Sequence, residues 1–163
     1  MTAFHRLAGI GLLCLLAAPT QAQLKTQKIL SYEAAKIIVT TAVESCAAKG
    51  FAVSATVVDR AGETVGQMRG DGAAPHTMEN SRRKAYTANT FRRPSAEIAK
   101  RFADNDPGVR QQVTLPNVIA IAGGLPIKVG DEVIGAAAVS GSPMGNDTTC
   151  TQAGIDKAKD LLK

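Results

Sequence analysis

The feature that most constrains this chain is the run Phe51-Ala52-Val53-Ser54-Ala55-Thr56-Val57-Val58-Asp59, set between two helical patterns. It alternates, it is rich in β-branched residues, and Arg60-Ala61-Gly62-Glu63 follows it as a turn. Such a run is a strand, and Thr64 to Arg69 pairs back on it to complete a hairpin. Asp59 is expected to serve the turn by accepting backbone N–H bonds. A hairpin between helices makes the chain α+β.

The flanking patterns follow. Ser31 caps a helix that Gly50 stops, with Leu30 before the cap and Glu33 in the first turn. Thr77 to Arg92 is a polar helix with an Ala85, Ala88, Phe91 face, and Ser95 caps a shorter helix through Phe102. Asp104 to Pro116 is polar and irregular. Val118 to Ile121 and Ile127 to Val129 are short strands on either side of Gly123-Gly124-Leu125-Pro126, a tight turn by its composition, although glycine-rich backbone can also offer N–H groups to an anion. Val133 to Ser140 is an apolar central strand, and Asn146 or Asp147 caps a terminal helix through Leu162.

The first 22 residues have the form of an export signal: Arg6, the apolar run Leu7 to Ala18, then Thr20 and Ala22 as the small residues of a cleavage site. Residues 23–163 are then one mature domain, periplasmic or secreted, with no membrane span after cleavage, since that run is too short to cross a bilayer comfortably. Cleavage removes Cys14 and leaves Cys46 and Cys150, each on the inward stripe of a helical pattern. In an oxidising compartment they bridge if the two helices pack side by side; otherwise they are two buried thiols.

Aromatic residues are only 4% of the chain and Trp is absent, so the core is built from Val, Ile, Leu and Ala, and rings for stacking bases are scarce. The formal charge of +5, less Arg6, leaves a modest excess that is weak evidence for nucleic acid and mildly favours anionic ligands. No CxxC or CxxCH spacing is present, nor a GxGxxG loop.

Val58-Asp59-x-x-Gly62, Arg83-Lys84-Ala85-x-Thr87-Ala88, Gly123-Gly124-x-Pro126 and Val139-Ser140-Gly141 stand in the order and spacing of a known family. From Leu30 to Leu162 the chain resembles the GlcG/HbpS-like proteins, which include the C-terminal domain of PduO-type proteins. The resemblance implies profilin-like α/β/α layers, a central antiparallel sheet of about five strands covered by helices, and assembly into a homo-oligomer. Small residues Ala34, Ala35 and Ala42 offer a face for close helix approach, which a thin monomer core would use equally.

The resemblance further implies a small planar ligand, haem, in some members, and lyase chemistry on hydroxylamino-aromatics in one branch; a non-catalytic assembly role is a third reading. With His5 in the signal, His76 is the one imidazole left, where the Gly72 to Pro75 loop enters a helix, and it is the candidate iron ligand. Arg82, Arg83 and Lys84 lie downstream as cations for propionates, and Met78 or Met68 as soft contacts or a second axial ligand. A solvated helix face and an exposed helix-start histidine are the plainer readings. Lys84, among small residues, can be partly buried and act as a base or imine-former. A lyase would draw its acid–base pair from His76, Lys84 and Glu79. The mature chain has no Ser–His–Asp order and no carboxylate cluster.

Overall fold

The computed structural model describes residues 24–143 and 145–163. The expected export signal, residues 1–22, and the cleavage site expected before Gln23 therefore lie outside the described residues. Nine regular elements follow in order: α1 (Tyr32–Ala47), β1 (Ser54–Asp59), β2 (Thr64–Arg69), α2 (His76–Phe91), α3 (Ser95–Ala103), α4 (Pro107–Gln112), β3 (Gly124–Val129), β4 (Glu132–Ser140) and α5 (Asn146–Lys157), then a 3₁₀ turn at Lys159–Leu161.

The sheet is antiparallel throughout, in the order β2-β1-β4-β3. It has four strands, not five. Val118 to Ile121 forms no strand; Val118 is buried and its carbonyl accepts from Arg83 Nη2 at 2.7 Å, while the Ile119 N–H bonds Thr87 Oγ1 at 2.9 Å. Gly123-Gly124-Leu125-Pro126 is accordingly not a turn between strands. It opens β3, and its Gly124 N–H is taken by Ser95 Oγ at 2.8 Å. Ser95 thus serves the sheet edge rather than capping α3, whose N-cap is Pro94.

Central β1 and β4 are buried almost end to end, as an inner strand covered on both faces must be. Pro126 sits in β3 at the edge, where a strand needs no N–H. One face of the sheet carries Ala55, Val57, Ile127, Ala137 and Val139 against α1 and α5. The other sets Val58, Ala136 and Ala138 against Ala85 and Ala88 of α2. This second interface also holds two buried hydroxyl pairs, Ser54–Thr77 at 2.8 Å and Thr56–Ser81 at 2.7 Å. The result is the α/β/α layering expected from the sequence.

α1 begins as its cap predicts, with the Ala34 N–H on Ser31 Oγ at 3.2 Å. Its inward stripe is Ala34, Ala35, Ile38, Val39, Ala42 and Cys46. The small alanines are filled from within: they are 0–1% exposed, packed under β2 and α5. They are no open face for a second copy. Gly154 of α5 lets the two helices approach until a side chain there would strike the Ile38 carbonyl. Across that contact Cys46 and Cys150 are bonded, Cα–Cα 5.6 Å. The segment expected to be irregular contains α4, capped by Asp106 Oδ1 on the Gly108 and Val109 N–H groups at 2.9 and 3.1 Å.

Candidate functional site

α2 is held against the sheet along its length by the alanine and hydroxyl contacts just described, and this fixes the direction of its remaining side chains. His76, Asn80 and Lys84 are four apart in succession, so they form one stripe. All three line a cleft of about 320 Å³ whose far wall is Ile121, Ser142 and Asp147. His76, the first residue of α2, and Gly145, the N-cap of α5, both border it, so two helix N-termini open on the same space.

The floor is charged. Lys84 is 2% exposed and Asp147 7%. Lys84 Nζ donates to Asp147 Oδ2 at 2.7 Å and to the Val139 carbonyl at 3.2 Å. Asp147 Oδ1 accepts from the Ser142 N–H at 3.0 Å and from Ser142 Oγ at 2.6 Å. The pair joins α2 to the first turn of α5, and β3 passes close beside it. A Cβ on Gly124 would run into the Lys84 carbonyl, so only glycine lets β3 lie this close to α2.

Of the residues expected to act with His76, the structure brings only Lys84 into its cleft. Arg82 is turned to Glu79, donating from Nε and Nη2 at 2.9 and 2.8 Å, and to Asn117 at 3.0 Å. That hydrogen bond is the main cause holding Glu79 below the usual carboxylate range and Arg82 above the ordinary guanidinium value. Glu79 is thereby occupied and does not line the cleft, which removes it from any acid–base pair with His76. Arg83 reaches the Val118 carbonyl, with its Nε buried and unpartnered. Met78, two residues past His76, is carried about 200° around the helix axis and is not part of the cleft wall. Met68 packs with the core on the α1 side of the sheet, so the sheet separates it from His76 and it is no second axial ligand.

Asp147 and Asn80 were missed as site residues. Asp147 reads as a helix-start acid, and nothing local distinguishes a cap from the counter-ion of a lysine 63 positions away. Asn80 was legible: it stands midway between His76 and Lys84 at helical spacing. Among the described residues no cluster of three or more His, Cys, Asp and Glu is placed to hold a metal ion. Of two other depressions, one of about 300 Å³ beside Gln27 to Leu30 carries Lys28, Asp59 and Arg60 but no imidazole, and one of about 680 Å³ between Leu125 and α5 is lined by Thr148, Thr149, Gln152 and Asp156.

GlcG of Escherichia coli K12 is 32% identical over 117 residues, 72% of this chain and 85% of that protein. The crystal structure of HbpS superposes with a TM-score of 0.77 at 35% identity, covering 86% of this chain and 97% of that one. A crystal structure of a PduOC:heme complex matches with a TM-score of 0.71 over 80% and 95% of the two chains; at 22% identity it bears on the fold alone. The family described as haem degrading protein HbpS-like matches residues 30–156. With most of its described length in that match, the chain belongs to the HbpS-like family.

Proposed function

We propose that this protein binds haem at the mouth of the His76 cleft, where the His76 imidazole would hold its iron. The observation that carries the reading is the exposed His76 at the first position of α2, facing the same opening as Ile121, itself 40% exposed. An imidazole and an apolar side chain at one mouth suit the metal and the flat face of a porphyrin. The family description as haem degrading agrees with this, and the fold match to a haem complex is an analogy at fold level.

The residues fit the group in part. His76 is available. The cleft, at about 320 Å³, is small for a whole macrocycle and takes its edge. Arg83 is committed to the Val118 carbonyl and Lys84 lies paired with Asp147 on the floor, below the mouth; among the described residues Arg82 is a nearby cation whose partner, Glu79, is an exposed surface acid that a propionate can displace. When bound, haem supplies an iron centre for redox or O₂ chemistry. The chain's own part is to hold it by His76 and to shield one edge. The readings of an exported protein and of a homo-oligomer belong to this proposal. The Cys46–Cys150 bond supports an oxidising compartment, and no helix among the described residues is long and apolar enough to cross a membrane.

Titration of haem into the purified protein tests it. A shifted Soret band with micromolar affinity is expected, and His76→Ala is expected to lose that shift and at least tenfold in affinity. No binding by the wild-type protein overturns the proposal; an unchanged spectrum in His76→Ala removes His76 as the ligand.

A further inference from the structure

We infer that the floor of this cleft is a binding site for a small carboxylate, held by Lys84 and Asn80, separate in chemistry from the flat ligand at its mouth. An ammonium carries three N–H groups. Two of those on Lys84 are fixed, on Asp147 and the Val139 carbonyl, and the side chain lines the cleft. Two fixed donors leave the third N–H without a protein partner among the described residues, so a buried ammonium has one N–H to offer at the cleft floor. In such surroundings a charge-assisted bond to an oxyanion is strong.

The nearby carboxylate does not exclude an anion. Asp147 is met on Oδ2 by Lys84 and on Oδ1 by two donors of Ser142, so its charge is spent within the chain. The N-terminal ends of α2 and α5, which both border the cleft, add positive potential to what would otherwise be a neutral pair. Asn80, half-buried one turn above Lys84, offers an amide N–H₂ for a second oxygen. His76 stands one further turn out. The volume is about 320 Å³. At about 30 Å³ for each water of bulk liquid, that is room for roughly ten waters. It suits a molecule of a few carbons better than a macrocycle.

The test uses haem-free mature protein with acetate as probe, acetamide as its uncharged isostere and an ¹H–¹⁵N correlation spectrum as readout. Acetate is expected to shift the Asn80 side-chain amide and the amides around Gly141 to Ser142 saturably in the millimolar range, and acetamide to shift them far less. Asn80→Ala and Lys84→Met are each expected to weaken acetate at least tenfold, whereas Lys128→Ala, on the exposed edge of β3, leaves it unchanged. Asn80→Ala leaves the buried ion pair intact, so the test does not depend on Lys84→Met folding. The inference is overturned by the absence of saturation at tens of millimolar, by equal response to acetamide, or by undiminished binding in Asn80→Ala. Haem titration of the same samples separates the two ideas: loss of haem binding with acetate binding retained sinks only the haem reading, and the reverse sinks only this one.

Discussion

At the residue scale, Lys84 carries the most information. A lysine buried to this degree is stable only with a partner, because moving an ammonium out of water costs several kcal/mol. Asp147 is that partner, and its other oxygen is satisfied by Ser142. Removing one member leaves the other buried and uncompensated. Lys84→Met is therefore expected to cost about 3–5 kcal/mol in urea unfolding, and Lys84→Met with Asp147→Leu is expected to recover much of it. A double variant as unstable as the sum of its parts would mean that the pair is not coupled. Exposed Arg82–Glu79 should behave differently. Glu79 titrates below its ordinary value because of Arg82, so whatever stability the pair contributes is present above the unfolded carboxylate value and lost as pH falls through the lower folded one. Its exposure keeps that contribution small.

At the element scale, two devices fix helices that propensity alone would leave loose. α4 is six residues long and depends on its cap. The Val109 and Gly108 N–H groups, with Arg101, hold Asp106 below the usual carboxylate range, the backbone bond from Val109 contributing most. The cap is complete above the unfolded carboxylate value and is lost as pH falls through the lower folded one. Amide exchange at Gly108 and Val109, corrected for intrinsic rates, is expected to accelerate there before the sheet amides change; Asp106→Ala should show that acceleration already at neutral pH. The second device is the α1–α5 bridge. It closes a loop with a sequence separation of 104, which in the chain-entropy model is worth about 4–5 kcal/mol. Cys46→Ala with Cys150→Ala is expected to lower stability by that order while leaving the helix content unchanged. A loss below about 1 kcal/mol would show that Gly154 and the alanine stripe alone hold the helices together.

At the scale of the whole molecule, the structure alters the case for assembly. The alanines that looked available to a second copy are the packing surface of the monomer. Ala42→Leu is therefore expected to lower the melting temperature through overpacking, about 1–3 kcal/mol, without changing the oligomeric state. A homo-oligomer that sedimentation detects at tens of micromolar, as family resemblance implies, must use other surfaces. Dissociation in Ala42→Leu with stability retained would restore the alanine face as the interface.

The hairpin, the inward stripe of α1 and the central strand were legible because each depends on a period that the local sequence states: two for a strand, 3.6 for a helix. The spacing of His76 and Lys84 on one helix was legible for the same reason. The disulfide was half-legible; two inward cysteines in an oxidising compartment can pair, but only the packing of α1 on α5 brings them together. The strand expected at Val118 to Ile121 failed because the Val118 carbonyl and the Ile119 N–H are taken by Arg83 and Thr87, partners 35 and 32 residues away that no local pattern announces. The same holds at the site. Sequence chose the helix face that carries the imidazole and the lysine. Tertiary contact decided that Arg83 reaches Val118 and that Asp147 meets Lys84, because ion pairs and cleft walls are made between elements that only folding brings within reach.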